Sequence, residues 1–353
     1  MGVGRFLYYG SFVPGMQEVV ETVVRRRLSD VSVIKLLDGA IIFETGSSYD
    51  RLNFFCFNNI FAVIDIQDAD SDMQNTTGIE PLESHIRKII RKKGSLSEEA
   101  LQTISGNNKK IKTFRLVCSF ENVPASINET LRQNTEDFIA ENSSLNTDRS
   151  GADTEFWFLY RREGFSVFMK RLTHSLEKRL HPGELSSQLG WLLCEIGELA
   201  PGETVVDPFC GYGAIPEAAV KHFHIKKFYA LDADSRCIKI TRQRPPLQTE
   251  RCEIHTSDIS SVSGFFKKDK ADAIITDPPW GMYRETEIPI EEFYREMLSR
   301  FSIILKSGGR CVILTAARQE LEAVAAKINC FSITKVFSVL VSGKKAAVYK
   351  MVK

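Results

Sequence analysis

From His181 to the end of the chain, short apolar runs alternate with longer amphipathic stretches. The apolar runs are typical of buried strands, and the amphipathic stretches between them are typical of helices. We predict strands at 204–206, 227–231, 252–255, 271–276 and 310–314, helices at 184–197, 214–221, 290–305 and 319–328, and a closing hairpin at 333–341 and 346–352. This alternation predicts an α/β fold with a parallel sheet.

The first 180 residues instead mix helices and strands in an α+β pattern. Residues 1–66 predict the order β-α-β-β-α-β, with helices at 16–28 and 49–57, which is typical of a ferredoxin-like domain. A polar stretch at 67–80 predicts a linker. The remainder of this half predicts a second unit with helices at 82–93 and 127–141, a strand at 113–120 and a hairpin at 155–160 and 165–170. We therefore expect three domains, at 1–66, 67–180 and 181–353.

Composition places the chain among ordinary globular proteins, because 43% of its 353 residues are hydrophobic and 26% are charged. No apolar run is long enough to span a membrane, and no long apolar segment of the kind expected in a signal peptide follows Met1. The eight cysteines are scattered singly, without a Cys-x-x-Cys pair. This pattern favours buried reduced thiols over a zinc site or a disulfide framework, so we expect a cytoplasmic protein without a bound metal.

The net charge of +1 gives no overall electrostatic attraction to nucleic acid. If RNA binds to this chain, it must use local basic patches. Two such patches are visible, at 91–93 and at 109–112. A charge run is also compatible with a merely solvated face.

The segment Asp277-Pro278-Pro279-Trp280-Gly281 follows the predicted strand 271–276 directly. Its prolines and glycine end the strand and hold the backbone in an extended turn, at the sheet edge where ligands bind in open α/β folds. Asp277 and the Pro278 carbonyl can both accept hydrogen bonds from an exocyclic amine while Trp280 stacks on the ring that carries it. Two acceptors would localise the nitrogen lone pair for attack on a methyl sulfonium. The predicted catalytic residues are therefore Asp277, Pro278, Pro279 and Trp280.

A second motif lies upstream, where strand, glycine turn, helix, strand and acid follow one another. Gly211 and Gly213 let the backbone approach a ligand, and the helix after them offers free N–H groups. The third glycine of the dinucleotide fingerprint is absent, and no Gly-Lys-Ser/Thr follows, so a cofactor without phosphates fits better. S-adenosylmethionine is such a cofactor, with Asp207 facing its ammonium or sulfonium end, Asp232 its ribose and Asp258 its adenine N6. The predicted cofactor residues are Asp207, Pro208, Phe209, Cys210, Gly211, Gly213, Asp232 and Asp258.

These two motifs, at 204–217 and 277–281, resemble those of class I methyltransferases that modify exocyclic amines. The layout of the whole chain resembles the THUMP-containing RNA methyltransferases, and His181-Pro182-Gly183-Glu184-Leu185 stands where that family has the loop leading onto the cofactor. The resemblance implies a ferredoxin-like domain, a THUMP-like RNA-binding domain and a Rossmann-like catalytic domain. It also implies methylation of guanosine N2 in a structured RNA, with tRNA as the first expectation.

Trp280 is a departure from that family, whose guanine-modifying members more often carry Tyr or Phe there. Asp-Pro-Pro-Trp also occurs in adenine-N6 methyltransferases, so adenine N6 in RNA or DNA remains an alternative target. An RNA-binding adaptor that has lost activity is a third hypothesis, although the intact Asp277 argues against it. The sequence leaves open the target nucleotide, the oligomeric state and any small activating protein partner.

Overall fold

The computed structural model describes residues 5–52, 54–68, 78–91, 111–173, 180–266, 270–281 and 288–353. Two compact units emerge. The first comprises Met1–Ser11 and Val23–Glu177, and the second comprises Phe12–Thr22 and Lys178–Lys353. Much of the predicted linker and most of the two basic patches, including Lys92, Lys93, Lys109 and Lys110, lie outside the described residues.

The second unit contains the predicted alternation of strands and helices. Its strands are β10 (Thr204–Asp207), β11 (Lys227–Asp232), β12 (Cys252–Thr256), β13 (Ala271–Thr276), β14 (Leu305–Thr315), β15 (Ser332–Val341) and β16 (Lys344–Val352). Its helices are α4 (Ser187–Ile196), α5 (Ala214–His222), α6 (Ser235–Thr241), α7 (Ile290–Ile304) and α8 (Arg318–Ile328), with 3-10 turns at Pro245–Leu247 and Ile259–Phe266. Of the elements described in this unit, α6 and the 3-10 turns were not predicted.

These strands form one sheet in the order β12-β11-β10-β13-β14-β16-β15. Neighbours from β12 to β14 are parallel, whereas β16 is antiparallel to β14 and β15 is antiparallel to β16. The strand order reverses between β10 and β13, which makes this the switch point where open sheets bind ligands. The predicted Rossmann-like α/β fold is confirmed.

The apolar core of this sheet fixes the strand ends that matter for function. Helices α7 and α8 bury Met297, Leu298, Phe301, Leu321 and Val324 against β13, β14 and β16. Burial of each large apolar side chain contributes about 1.5–3 kcal/mol to the free energy of folding. This packing holds the carboxyl ends of β10 and β13 in place.

The first unit contains a nine-stranded mixed sheet in the order β2-β3-β1-β4-β9-β8-β5-β6, with β7 paired to β5. Its strands are β1 (Phe6–Ser11), β2 (Ser32–Leu37), β3 (Ala40–Thr45), β4 (Asn59–Asp68), β5 (Thr113–Phe120), β6 (Val123–Pro124), β7 (Asn146–Thr147), β8 (Thr154–Arg161) and β9 (Phe165–Arg171). Among the described residues of the first half of the chain, the helices are α1 (Gln17–Arg27), α2 (Glu80–Arg91) and α3 (Glu129–Ser143).

Strand pairing runs continuously across the predicted boundary at residue 66, because β4 pairs with β9 from Phe61 to Asp68. The strands of the expected ferredoxin-like and THUMP-like parts therefore share one sheet, and the division of this half into two domains stays a prediction. The helix expected at 49–57 is wrong. Among the described residues of this segment, only Tyr49–Arg51 form a helical turn, of the 3-10 type, and the rings of Phe54 and Phe57 pack on Phe43 instead.

Candidate active site

The Asp277–Trp280 turn leaves the carboxyl end of β13 at the switch point. The Trp280 indole Nε1–H donates to Asp277 Oδ1 at 2.9 Å and also faces the Leu314 carbonyl at 3.3 Å. The indole thus holds one oxygen of Asp277, and an ionised carboxylate has a second oxygen that can also accept hydrogen bonds. Desolvation raises the pKa of Asp277 to about 7, although the indole hydrogen bond opposes the rise.

Trp280 therefore has a contact that the sequence did not predict. Its indole was expected to act as a stacking surface, but the structure also makes it the residue that orients Asp277. The ring is only half-buried, so the hydrogen bond to Asp277 does not prevent a planar base from stacking on it.

Asp207 ends β10 on the other side of the switch point and is fully buried. Its Oδ1 accepts hydrogen bonds from Thr276 Oγ1 at 2.7 Å and from the Phe209 backbone N–H at 3.1 Å. Its Oδ2 is buried without a hydrogen-bond partner among the described residues. Desolvation, together with the charges of Asp232 and Asp277, raises the pKa of Asp207 to about 8, although the hydrogen bonds from Thr276 and Phe209 oppose the rise. The structure therefore brings these three predicted acids together.

The glycine turn lies between Asp207 and Asp232. Asp232 accepts from the Gly211 N–H and from the Asp234 N–H, both at 2.8 Å, and Thr241 Oγ1 donates to the Gly211 carbonyl at 2.8 Å. Gly211 has φ +49°, and a side chain placed there would enter open space. Gly213 has φ +88° and faces Thr241 so closely that a Cβ would lie 2.8 Å from its methyl group. Gly211 thus exposes backbone to a ligand, whereas Gly213 is required for packing.

The other predicted cofactor residues lie in or near this turn, with one exception. Pro208 and Cys210 are buried, and the Cys210 N–H donates to the Leu231 carbonyl at 2.8 Å, which ties the turn to β11. Burial raises the pKa of the Cys210 thiol well above its usual value, so Cys210 is not poised as a nucleophile. Phe209 packs on Phe293 with 5.6 Å between ring centroids. Asp258 is the exception. It is exposed after β12, where its side chain accepts from the Ser260 N–H at 2.8 Å.

Sequence reasoning missed a buried ion-pair network beside the glycine turn. Arg244 forms salt bridges to Glu184 and Glu217 and is 8% exposed. His181 stacks on Tyr212, within the glycine turn, with 4.5 Å between ring centroids. The segment from His181 to Glu184 therefore contacts the glycine turn through Tyr212 and is linked through Arg244 to Glu217 on α5. The sequence shows only that Arg244 and the two glutamates carry opposite charges. Charge alone does not identify these partners, because they lie 27 and 60 positions from Arg244.

Tyr294 and Thr315 were also missed, and both are fully buried beside the Asp277–Trp280 turn. The Tyr294 hydroxyl lies 3.1 Å from the Pro279 carbonyl oxygen and 2.7 Å from Thr315 Oγ1. A tyrosine on the apolar face of a helix is the only sequence signal here, since a buried phenol usually needs a partner. Within the described ranges, no group of three His, Cys, Asp or Glu side chains is arranged to hold a metal ion.

Comparison with known families adds to this geometry. Residues 176–346 match the family UPF0020, described as an RMKL-like methyltransferase domain. This match covers just under half of the chain, and it includes both predicted motifs, Asp207–Gly213 and Asp277–Trp280.

Two curated relatives are similar to part of this chain. The tRNA (guanine(10)-N2)-dimethyltransferase of Methanothermobacter thermautotrophicus is 31% identical over 163 residues, which cover 45% of this chain and 46% of that protein. The U6 snRNA (guanine-N(2))-methyltransferase THUMPD2 of Bos taurus is 25% identical over 159 residues, or 44% of this chain and 30% of that protein. This chain thus spans less than half the length of either relative.

The fold similarity extends over nearly the whole chain. TrmN from Thermus thermophilus superposes with a TM-score of 0.76 at 16% identity, covering 99% of both chains. SMU.472, whose structure was determined in complex with SAH, gives a TM-score of 0.68 at 13% identity over 98% of this chain and 97% of its own. At such identities, these two matches show the fold alone. None of the helices in the described part of the chain has the length and hydrophobicity of a membrane span.

Proposed function

We propose that this protein is an S-adenosylmethionine-dependent RNA methyltransferase that methylates the exocyclic N2 of a guanosine, with tRNA as the substrate. The observation that carries the proposal is the Asp277 carboxyl group at the switch point, held by the Trp280 indole at the same edge of the sheet as the acids that end β10 and β11. The guanine-N2 assignment follows the names of the curated relatives, which act on guanosines in tRNA or U6 snRNA.

The cofactor proposal rests on three features of the β10–β11 edge. The buried Asp207 Oδ2 lacks a partner, and a cationic group beside it would stabilise the ionised carboxylate. Asp232 is oriented by two backbone N–H groups and keeps lone pairs for two ribose hydroxyls. Gly211 leaves open space in front of its backbone. Asp258 is exposed after β12, so it would contribute to adenine recognition only as a solvent-exposed hydrogen-bond acceptor.

When bound, S-adenosylmethionine supplies an electrophilic methyl group on its sulfonium and departs as the neutral thioether. Asp277 Oδ2 and the Pro278 carbonyl would accept the two amine hydrogens of guanine N2, which localises the nitrogen lone pair toward the methyl carbon. Because the nitrogen gains positive charge during the transfer, the Asp277 acceptor strengthens in the transition state and lowers the barrier. The surplus proton then leaves the nitrogen for Asp277 or water.

Trp280 supplies a surface for the unstacked base. A guanine within folded RNA must leave its stack to reach Asp277, which costs a few kcal/mol. Stacking on an aromatic side chain offsets about 1–3 kcal/mol of that cost. The indole N–H meanwhile fixes the Asp277 carboxylate in one orientation.

RNA affinity is proposed to reside mainly in residues 1–180, which we assign as ferredoxin-like (1–66) and THUMP-like (67–180) domains. We also propose a cytoplasmic protein, because all eight cysteines are free thiols, the state that a reducing compartment maintains. A small activating protein partner is compatible with the chain, but no feature of the described residues identifies one.

The direct test is methyl transfer from S-adenosylmethionine labelled with tritium in the methyl group to unmodified tRNA transcripts, with single-stranded DNA and Asp277→Ala as controls. The proposal predicts label in tRNA only, and only with the native Asp277. Label in DNA would favour the adenine alternative. Binding of tRNA without any incorporation would favour the inactive adaptor.

A further inference from the structure

The Asp277–Trp280 turn is tied to the end of β14 at two points. At one point the Trp280 indole N–H faces the Leu314 carbonyl. At the other, the Tyr294 hydroxyl bridges the Pro279 carbonyl, at 3.1 Å, and Thr315 Oγ1, at 2.7 Å. The first contact involves a predicted catalytic residue, but the second comes from two residues without any assigned role.

The directions of these hydrogen bonds follow from counting hydrogens. Tyr294 has one hydroxyl hydrogen, and the Pro279 carbonyl can only accept, so Tyr294 donates to Pro279. Thr315 must then donate to the Tyr294 oxygen. Thr315 Oγ1 in turn accepts from the Ala317 N–H at 2.9 Å. These three hydrogen bonds form a series in which Ala317 donates to Thr315, Thr315 to Tyr294 and Tyr294 to Pro279. Each acceptor in the series has one donor.

This series of hydrogen bonds is buried within a packed core. Tyr294 and Thr315 are both fully buried, and Tyr294 packs within the apolar cluster formed by α7 and β14. Burial raises the pKa of Tyr294 above its usual value, so the phenol keeps its hydrogen at neutral pH. A hydroxyl in such a setting has no water to replace a lost partner.

Resting on the proposed function, we infer that Tyr294 is a positioning residue for methyl transfer, held by Thr315 and acting through the Pro279 carbonyl. Pro279 has a fixed φ, and the Tyr294 bond fixes the orientation of the peptide group that follows it. That peptide group leads into Trp280, whose indole orients Asp277. Loss of the Tyr294 hydroxyl would therefore leave the acceptors for the amine, Asp277 and the Pro278 carbonyl, in place but less firmly oriented.

The experiment compares Tyr294→Phe with Tyr349→Phe. Tyr349 is a matched control, because it is fully buried in the same core and its hydroxyl is also hydrogen-bonded, but to Glu322 on α8 rather than to the catalytic turn. Single-turnover transfer to tRNA transcripts is measured at saturating cofactor and RNA. Tyr294→Phe should lower the rate by about tenfold or more, because small misplacements in a catalytic site are costly, and should leave both dissociation constants within about twofold. Tyr349→Phe should retain the native rate.

A second pair of variants tests the Thr315 link. Thr315→Ser keeps the hydroxyl and should retain the native rate, whereas Thr315→Val should reproduce the loss seen with Tyr294→Phe. A native rate for Tyr294→Phe, or an equal loss in Tyr349→Phe, would overturn the inference.

A readout independent of activity separates this inference from the proposed function. The chain has three tryptophans, so labelling with 5-fluorotryptophan gives three fluorine resonances, of which Trp280 is assigned by Trp280→Phe. Tyr294→Phe should shift or broaden the Trp280 resonance, and Tyr349→Phe should not. An unmoved resonance contradicts the positioning role. A shifted resonance in a protein that methylates no RNA would instead support the contact and contradict the proposed function.

Discussion

Asp207 should lose its proton when a cationic cofactor binds, and this proton release can be measured. With a pKa of about 8, about 90% of Asp207 is protonated at pH 7 in the free protein. A sulfonium or ammonium group beside the unpartnered Oδ2 would favour the carboxylate and expel that proton. Binding of S-adenosylmethionine at pH 7 should therefore release about 0.9 proton from Asp207.

The same linkage fixes the sign of the pH dependence. Because binding requires the ionised form, affinity should rise with pH and level off above the free-protein pKa of about 8. Between pH 7 and pH 9, the gain from this group is about tenfold, or ~1.4 kcal/mol. Asp277, with a pKa of about 7, can add up to about half a proton at pH 7.

Isothermal titration calorimetry in phosphate and in Tris measures this release directly, because the two buffers differ in ionisation enthalpy. Asp207→Asn should bind more weakly and release at most about half a proton, and the double variant with Asp277→Asn should release none. Equal binding enthalpies in both buffers for the native protein, or full proton release by Asp207→Asn, would refute this assignment of the cofactor's cationic end.

Three further predictions concern the proposed site and the RNA-binding region. Asp277→Asn should strongly reduce the rate of single-turnover methyl transfer while the dissociation constants for cofactor and RNA change little. In the native protein, kcat/KM should fall as the pH drops through about 7, because Asp277 becomes protonated there, and Asp277→Asn should abolish this fall. Asp232→Ala should weaken cofactor binding by about 1–3 kcal/mol in calorimetry, since it also leaves the Gly211 and Asp234 N–H groups unpaired, and unchanged affinity would contradict the role assigned to this acid. Replacing the basic patch should weaken RNA binding and reduce its salt dependence by about one unit per lost phosphate contact, and an unaltered salt slope would identify a merely solvated face. The residues of that patch to replace are Lys109, Lys110 and Lys112.

The second unit was predictable because its signals are local. The strand Ala271–Thr276 was predicted with the same bounds as those observed, since a buried parallel strand is marked by a continuous apolar run between turn residues. The acids at successive strand ends were expected to meet because parallel strands share one carboxyl edge. The short helix α6 was missed, although Asp234 caps it by accepting from the Arg236 N–H at 2.8 Å.

Other features depend on partners that are distant in sequence. The segment 49–57 was expected to be helical, but Phe54 and Phe57 pack on Phe43 and the backbone follows that packing. Tyr294 and Thr315 meet across 21 positions, and nothing in the local pattern of α7 or β14 indicates that contact. The indole hydrogen bond to Asp277 was missed for another reason. It spans three positions, but it depends on a side-chain rotamer that the sequence does not show.

The central claim is that Asp277 activates the exocyclic amine of guanine, and nucleoside analysis tests it most directly. Unmodified tRNA transcripts are incubated with the protein and methyl-deuterated S-adenosylmethionine, digested to nucleosides and separated by liquid chromatography with mass detection. The account predicts deuterated N2-methylguanosine with the native protein and none with Asp277→Ala. Deuterated N6-methyladenosine, or N2-methylguanosine formed equally by Asp277→Ala, would contradict it.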